Sequence, residues 1–180
     1  AEEHFGGKVD LINAGAFEDA TASMMVHPSP QDVVDPTMLA IHHLGVEFRG
    51  KDAHAAASPW EGRNALDAFV QLYVNVSTFR QHMYPTDKLH GIITQGGDAP
   101  NIIPSLTTSE WYVRADTKER LEVLTERFTA FAEAAALSTG CEVEITPNGY
   151  EYTEMVSNGV MAELYADNSE ALGRPMGRTA

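Results

Sequence analysis

Six side chains have the types and settings that chemistry needs. Glu2 and Glu3 are adjacent carboxylates. Side by side they repel, so neither a core nor a folded surface gains from the pair. A hydrolytic metal site uses both, one as ligand and one to take a proton from water. Two solvated glutamates at a helix start are the other reading. His27 ends the apolar run Ser23 to Val26 and precedes Pro28. A strand end opening into a loop is where α/β sheets place ligands, and imidazole is the commonest neutral metal ligand. An ordinary half-buried histidine fits the same pattern. His54 sits among Ala53, Ala55, Ala56 and Ala57, small residues that let another surface approach closely. It is either a surface loop residue or a group that polarises a carbonyl and holds an oxyanion. Asn101 lies between Pro100 and Pro104, which stiffen the segment and aim its polar side chain. Arg114 is solvated on an open sheet face or forks a substrate carboxylate. His42, His43, His82 and His90 fall on strand or helix patterns and receive no chemistry. Gly96-Gly97 lacks the Lys-Ser/Thr of a phosphate loop.

The elements that must position these residues are legible from periodicity. Val9 to Ala14 predicts a short helix, and Ser23 to Val26 a short buried strand. Pro28, Pro30 and Pro36 make a loop. Leu44, Val46 and Phe48 alternate with polar partners as a half-buried strand does. Leu66, Phe69, Val70, Tyr73, Val76 and Phe79 recur at helical spacing. Leu89 to Gln95 and Leu106 to Ala115 are strands. Asp116, three residues before Glu119, predicts an N-cap with its capping-box partner. Leu121, Leu124, Phe128, Phe131 and Ala135 form a second helical stripe closed by Gly140. Cys141, Val143 and Ile145 alternate in a fourth strand, and a last helix covers about Gly159 to Leu172. Strand, helix, strand, strand, helix, strand gives an α+β, ferredoxin-like module: a four-stranded antiparallel sheet with two helices on one face. Such a fold assigns no function by itself.

Composition narrows the classes. The 180 residues carry 12 Lys plus Arg against 26 Asp plus Glu, a net charge of −14. A phosphate backbone is repelled by such a surface, so nucleic acid is not an expected partner. No apolar run reaches the roughly 20 residues of a membrane span, so no membrane association is expected. The single cysteine, Cys141, excludes an internal disulfide and suits a cytoplasmic location.

Taken in order, Ala1-Glu2-Glu3, Met25-Val26-His27-Pro28, Gly50-Lys51 to His54, Pro59, Gly62, Asn101-Ile102-Ile103-Pro104 and Arg114 resemble the co-catalytic metallo-amidohydrolases. These include aminoacylases, hippurate-type hydrolases and glutamate carboxypeptidases. The run from His54 to Ala68 is similar to the branch that holds p-aminobenzoyl-glutamate hydrolase and the cytosolic dipeptidases. The resemblance implies that a lid, residues 39–153, is inserted in a truncated α/β catalytic domain whose pieces are residues 1–38 and 154–180. It implies Glu2 as general base, Glu3 and His27 as metal ligands, and His54 as a lid histidine reaching the partner subunit's site. It implies Asn101 and Arg114 as substrate-binding residues. Two divalent metals, zinc by default and otherwise manganese or cobalt, would serve hydrolysis of an N-acyl amino acid or dipeptide in a homodimer. Further ligands lie outside this sequence, so the 180 residues alone are expected to be inactive. His4 and Phe5 stand where the family has small, glycine-rich residues, which leaves His4 as a decoy ligand. The rival expectation is a non-catalytic ferredoxin-like module for dimerisation or small-ligand binding. It leaves Glu2, Glu3 and His27 unexplained.

Overall fold

The computed structural model describes residues 6–177. Its elements are α1 (Gly7–Asn13), β1 (Ala40–Arg49), α2 (Ala65–Phe79), β2 (Lys88–Gln95), β3 (Leu106–Ala115), α3 (Lys118–Thr139), β4 (Glu142–Pro147) and α4 (Gly159–Ala171). The four strands form one sheet in the order β2-β3-β1-β4, and every pairing is antiparallel. Both α2 and α3 lie on one face, so the ferredoxin-like α+β expectation holds.

Alternation decides which face each strand residue joins. In β3, Thr107, Ser109, Trp111, Val113 and Ala115 turn toward the helices and are buried. Leu106, Thr108, Glu110, Tyr112 and Arg114 turn to the open face. From β1, Leu44, Val46 and Phe48 join Trp111, Val113, Leu72 and Phe128 in the core. The Trp111 ring is fully buried, and its Nε1–H donates to Ser109 Oγ at 2.9 Å, so its polar edge is satisfied. Gly91 lies across from Trp111 on β2, where an added Cβ would stand 2.3 Å from the indole ring. Only glycine fits there.

Three local expectations need correction. The stripe of α2 is only partly the expected one: Val76 is buried and Phe69 and Phe79 pack against the core, but Val70 and Tyr73 are 47% and 44% exposed, and Ala65, Ala68 and Leu72 complete the buried face. Small residues let this helix sit close to the sheet, which rotates Val70 and Tyr73 outward. The N-cap of α3 is Thr117, not Asp116, because the Thr117 hydroxyl accepts the Arg120 N–H at 3.2 Å. The run Ser23 to Val26 is neither strand nor buried: Met24, Met25 and Val26 are all more than half exposed. Among the described residues no strand lies beside it, and an extended run becomes a strand only when a neighbour completes its ladder.

The flanks meet at one end of the sheet. Ile41 and Tyr152 exchange backbone hydrogen bonds of 2.8 and 3.2 Å, joining the entry and exit of the sheet module. Beyond them, Val33 bridges Gly177, and Arg174 forks Asp32 with bonds of 2.9–3.0 Å. No helix among the described residues is long and apolar enough to cross a membrane.

Candidate active site

The loop holding His54 is tied at its base. Lys51 and Arg63 exchange two backbone bonds of 2.9 Å. An added Cβ at Gly50 would lie 2.0 Å from the Arg63 carbonyl oxygen, so this closure depends on glycine. The segment after Asn101 is then stitched to the loop. Ala55 N–H donates to Asn101 O at 2.9 Å, and Ile103 N–H donates to Ala53 O at 2.9 Å. Pro104 O accepts the Ala65 N–H at 2.8 Å, and Ser105 O accepts the Gly50 N–H at 2.8 Å. Gly97, at φ +115°, packs against Pro104. Main-chain bonds, more than the two prolines, aim Asn101. His54 and Asn101 thus share one exposed tip. The His54 ring turns Nδ1 back to accept the N–H groups of Ala56 and Ala57, each at 3.2 Å.

Arg114 is elsewhere. It lies at the far end of β3, on the open face as alternation predicts, beside Ile41 and Lys88. Eight residues of extended chain separate it from Leu106 at the tip end, about 26 Å. Arg114 stands over the Tyr112 ring at 5.7 Å, and Tyr112 stacks on His43 at 4.3 Å. The structure therefore brings His54 and Asn101 together and holds both apart from Arg114, which sits at the end where the flanks join.

Lys88 and His90 share the face of Arg114, a placement that the alternation of β2 makes readable although the sequence gives His90 no chemistry of its own. Partial desolvation lowers the pKa of the otherwise exposed His90 below its ordinary 6.5, and Arg114, Arg80 and Lys88 lower it further. A cationic patch in a chain of net charge −14 is suited to an anion. The other end of the open face is acidic, with Glu47, Glu110 and Glu144.

His27 is exposed in the coil, and its Nδ1–H donates to Pro28 O at 2.8 Å. A carbonyl fixes the tautomer in this way at many metal-bound histidines, leaving Nε2 with its lone pair outward. His27 therefore fits a metal ligand. Glu2, Glu3 and His4 lie outside the described residues. Among the described residues no group of three or more His, Cys, Asp or Glu could hold a metal.

An antiparallel sheet backed by two helices, with its entry and exit joined at one end, is an α+β module of the ferredoxin-like class. The chain belongs to the M20 peptidase dimerisation-domain family: the Peptidase dimerisation domain matches residues 40–140. Xaa-Arg dipeptidase of Mus musculus is 46% identical over 173 residues, covering 96% of this chain and 40% of the relative. A p-aminobenzoyl-glutamate hydrolase polypeptide of Escherichia coli is 31% identical over 145 residues, covering 79% of this chain and 30% of the relative. The crystal structure of an aminobenzoyl-glutamate utilization protein from Klebsiella pneumoniae superposes with a TM-score of 0.69 at 20% identity. That match covers 94% of this chain and 45% of the other, and at that identity it speaks to the fold. The chain thus spans less than half the length of these relatives.

Proposed function

We propose that this chain belongs to a homodimeric, metal-dependent amidohydrolase that cleaves the amide bond of a dipeptide or N-acyl amino acid. The relatives' names support the substrate class, with Xaa-Arg dipeptidase favouring a dipeptide that ends in arginine. Residues 39–153 form the lid, between catalytic-domain pieces 1–38 and 154–180. Glu3 and His27 would hold a divalent metal, zinc by default, with further ligands from the rest of the protein. Bound there, the metal would supply Lewis acidity and lower the pKa of water. Glu2 would take the proton of the attacking water and return it to the leaving amine. Arg114, with Lys88 and His90 beside it, would anchor the substrate carboxylate. His54 and Asn101 would come from the partner subunit and hold the carbonyl oxygen as charge develops. A single cysteine, Cys141, accords with a cytoplasmic setting.

The observation that carries this reading is the separation of the two ends of β3. Arg114 lies beside the joined flanks, and His54 with Asn101 lies on the opposite tip. A tip that far from its own flanks serves a second chain more readily than its own. The dimer surface would lie along β2 and the outer side of α2. Strand β2 is an edge of the sheet, and Ile93 on it is 41% exposed, as are Val70, Tyr73 and Val74 of α2 at 44–47%. Edge hydrogen-bonding groups beside an apolar rim suit pairing with another copy.

The roles of the two glutamates separate in the intact, metal-loaded parent protein. Glu2→Gln should keep its metal and lose several orders of magnitude in kcat. Glu3→Gln should lose metal as well, read by elemental analysis. Equal metal loss in both variants would refute the assignment.

A further inference from the structure

The turn after His54 does more than close the loop. Two backbone N–H groups, of Ala56 and Ala57, converge on His54 Nδ1 at 3.2 Å each. An amide N–H only donates, so Nδ1 can only accept, and a proton there would face two others. The ring proton must then sit on Nε2. Nε2 is on the side of the ring away from the turn, and the side chain is exposed. Ala57 and Ser58 also donate to His54 O, at 3.2 and 3.1 Å, so the turn that supplies the two amides is itself closed on the residue it orients. Residues 55, 56 and 57 are all alanine, which keeps side-chain bulk away from both the ring and any surface above it.

We propose that the Ala56 and Ala57 amides are positioning groups that fix the His54 tautomer, so that the ring presents a single donor, Nε2–H, outward from the lid. The consequence for catalysis rests on the two-subunit reading above. The donor that meets the partner's substrate is Nε2–H alone, aimed before the substrate arrives and without competition from a second tautomer.

Two experiments separate the tautomer from its use. In the 180-residue chain, 15N NMR at mildly alkaline pH should find the His54 proton on Nε2. Scalar couplings should connect Nδ1 to the amides of Ala56 and Ala57 across the hydrogen bonds. A proton on Nδ1, or absent couplings, would overturn the proposal. In the intact, metal-loaded parent, His54→Asn places an acceptor where Nδ1 is and keeps the turn. His54→Gln instead places a donor near Nε2. The Gln variant should retain kcat at least about tenfold above the Asn variant, within the roughly 10²–10³ that one oxyanion donor is worth. The reverse order would also overturn the proposal, since the Asn amide would then have turned its NH2 to the Nδ1 position and the working donor would be there. Equal kcat in both variants with the NMR result intact would leave the tautomer standing and sink the oxyanion role of His54.

Discussion

At the scale of single residues, charge placement carries the account. His90 shows how Arg114 acts on its surroundings. In the folded chain its pKa is depressed below 6.5 by partial desolvation first, then by Arg114, Arg80 and Lys88. The unfolded chain therefore takes up this proton at higher pH than the folded one. Stability contributed by neutral His90 is complete above pH 6.5 and is lost as pH falls through the folded pKa. Arg114→Gln should raise the His90 midpoint part of the way back, followed by NMR titration of its ring. A midpoint that does not move would mean that Arg114 adds nothing to the field at this patch. A second residue-scale prediction concerns Asp87, whose side chain is 0% exposed and is forked by Arg120 at 2.6–3.2 Å. The hydrogen bond between Arg120 and Asp87 is the main reason that the guanidinium pKa is raised. Asp87 also accepts the Tyr84 N–H at 2.9 Å. Asp87→Ala strands these donors and should cost about 3 kcal/mol in urea unfolding, the low end for a buried pair because Arg120 is partly solvated.

At the scale of elements, the strands are more readable than the helices. Alternation in β3 puts Arg114 on the open face and Trp111 in the core, because the pleat allows only two faces. A helix has no such binary choice. In α2 the apolar periodicity runs through Val70 and Tyr73, which are exposed, as well as through Val76, which is buried with Ala65, Ala68 and Leu72. Hydrophobicity alone does not distinguish a core face from an interface face. Residue type and resemblance single out His54, Asn101 and Arg114, and the strand read at Leu106 to Ala115 already puts Asn101 ahead of β3 and Arg114 near its far end. The main-chain bonds that bring His54 beside Asn101 leave no trace in the sequence. The outward face of α2 yields its own test. Tyr73→Glu with Ile93→Lys should convert a dimer to a monomer in sedimentation, leaving the far-UV circular dichroism unchanged. A variant that stays dimeric would place the interface elsewhere.

At the scale of the whole molecule, the geometry poses one question: whose active site does the tip serve? Inactive His54→Ala and Glu2→Ala variants of the intact parent answer it by complementation. In a mixed dimer whose sites are shared, one site collects both defects and the other has none. With random pairing of equal amounts, activity should rise to about one quarter of wild type, since half the dimers are mixed and each carries one good site of two. Subunit exchange is confirmed independently by differently tagged protomers. Recovery near that level is the result expected. Confirmed exchange with activity no higher than either variant alone would contradict the account, placing His54 in its own chain's site or outside the chemistry altogether.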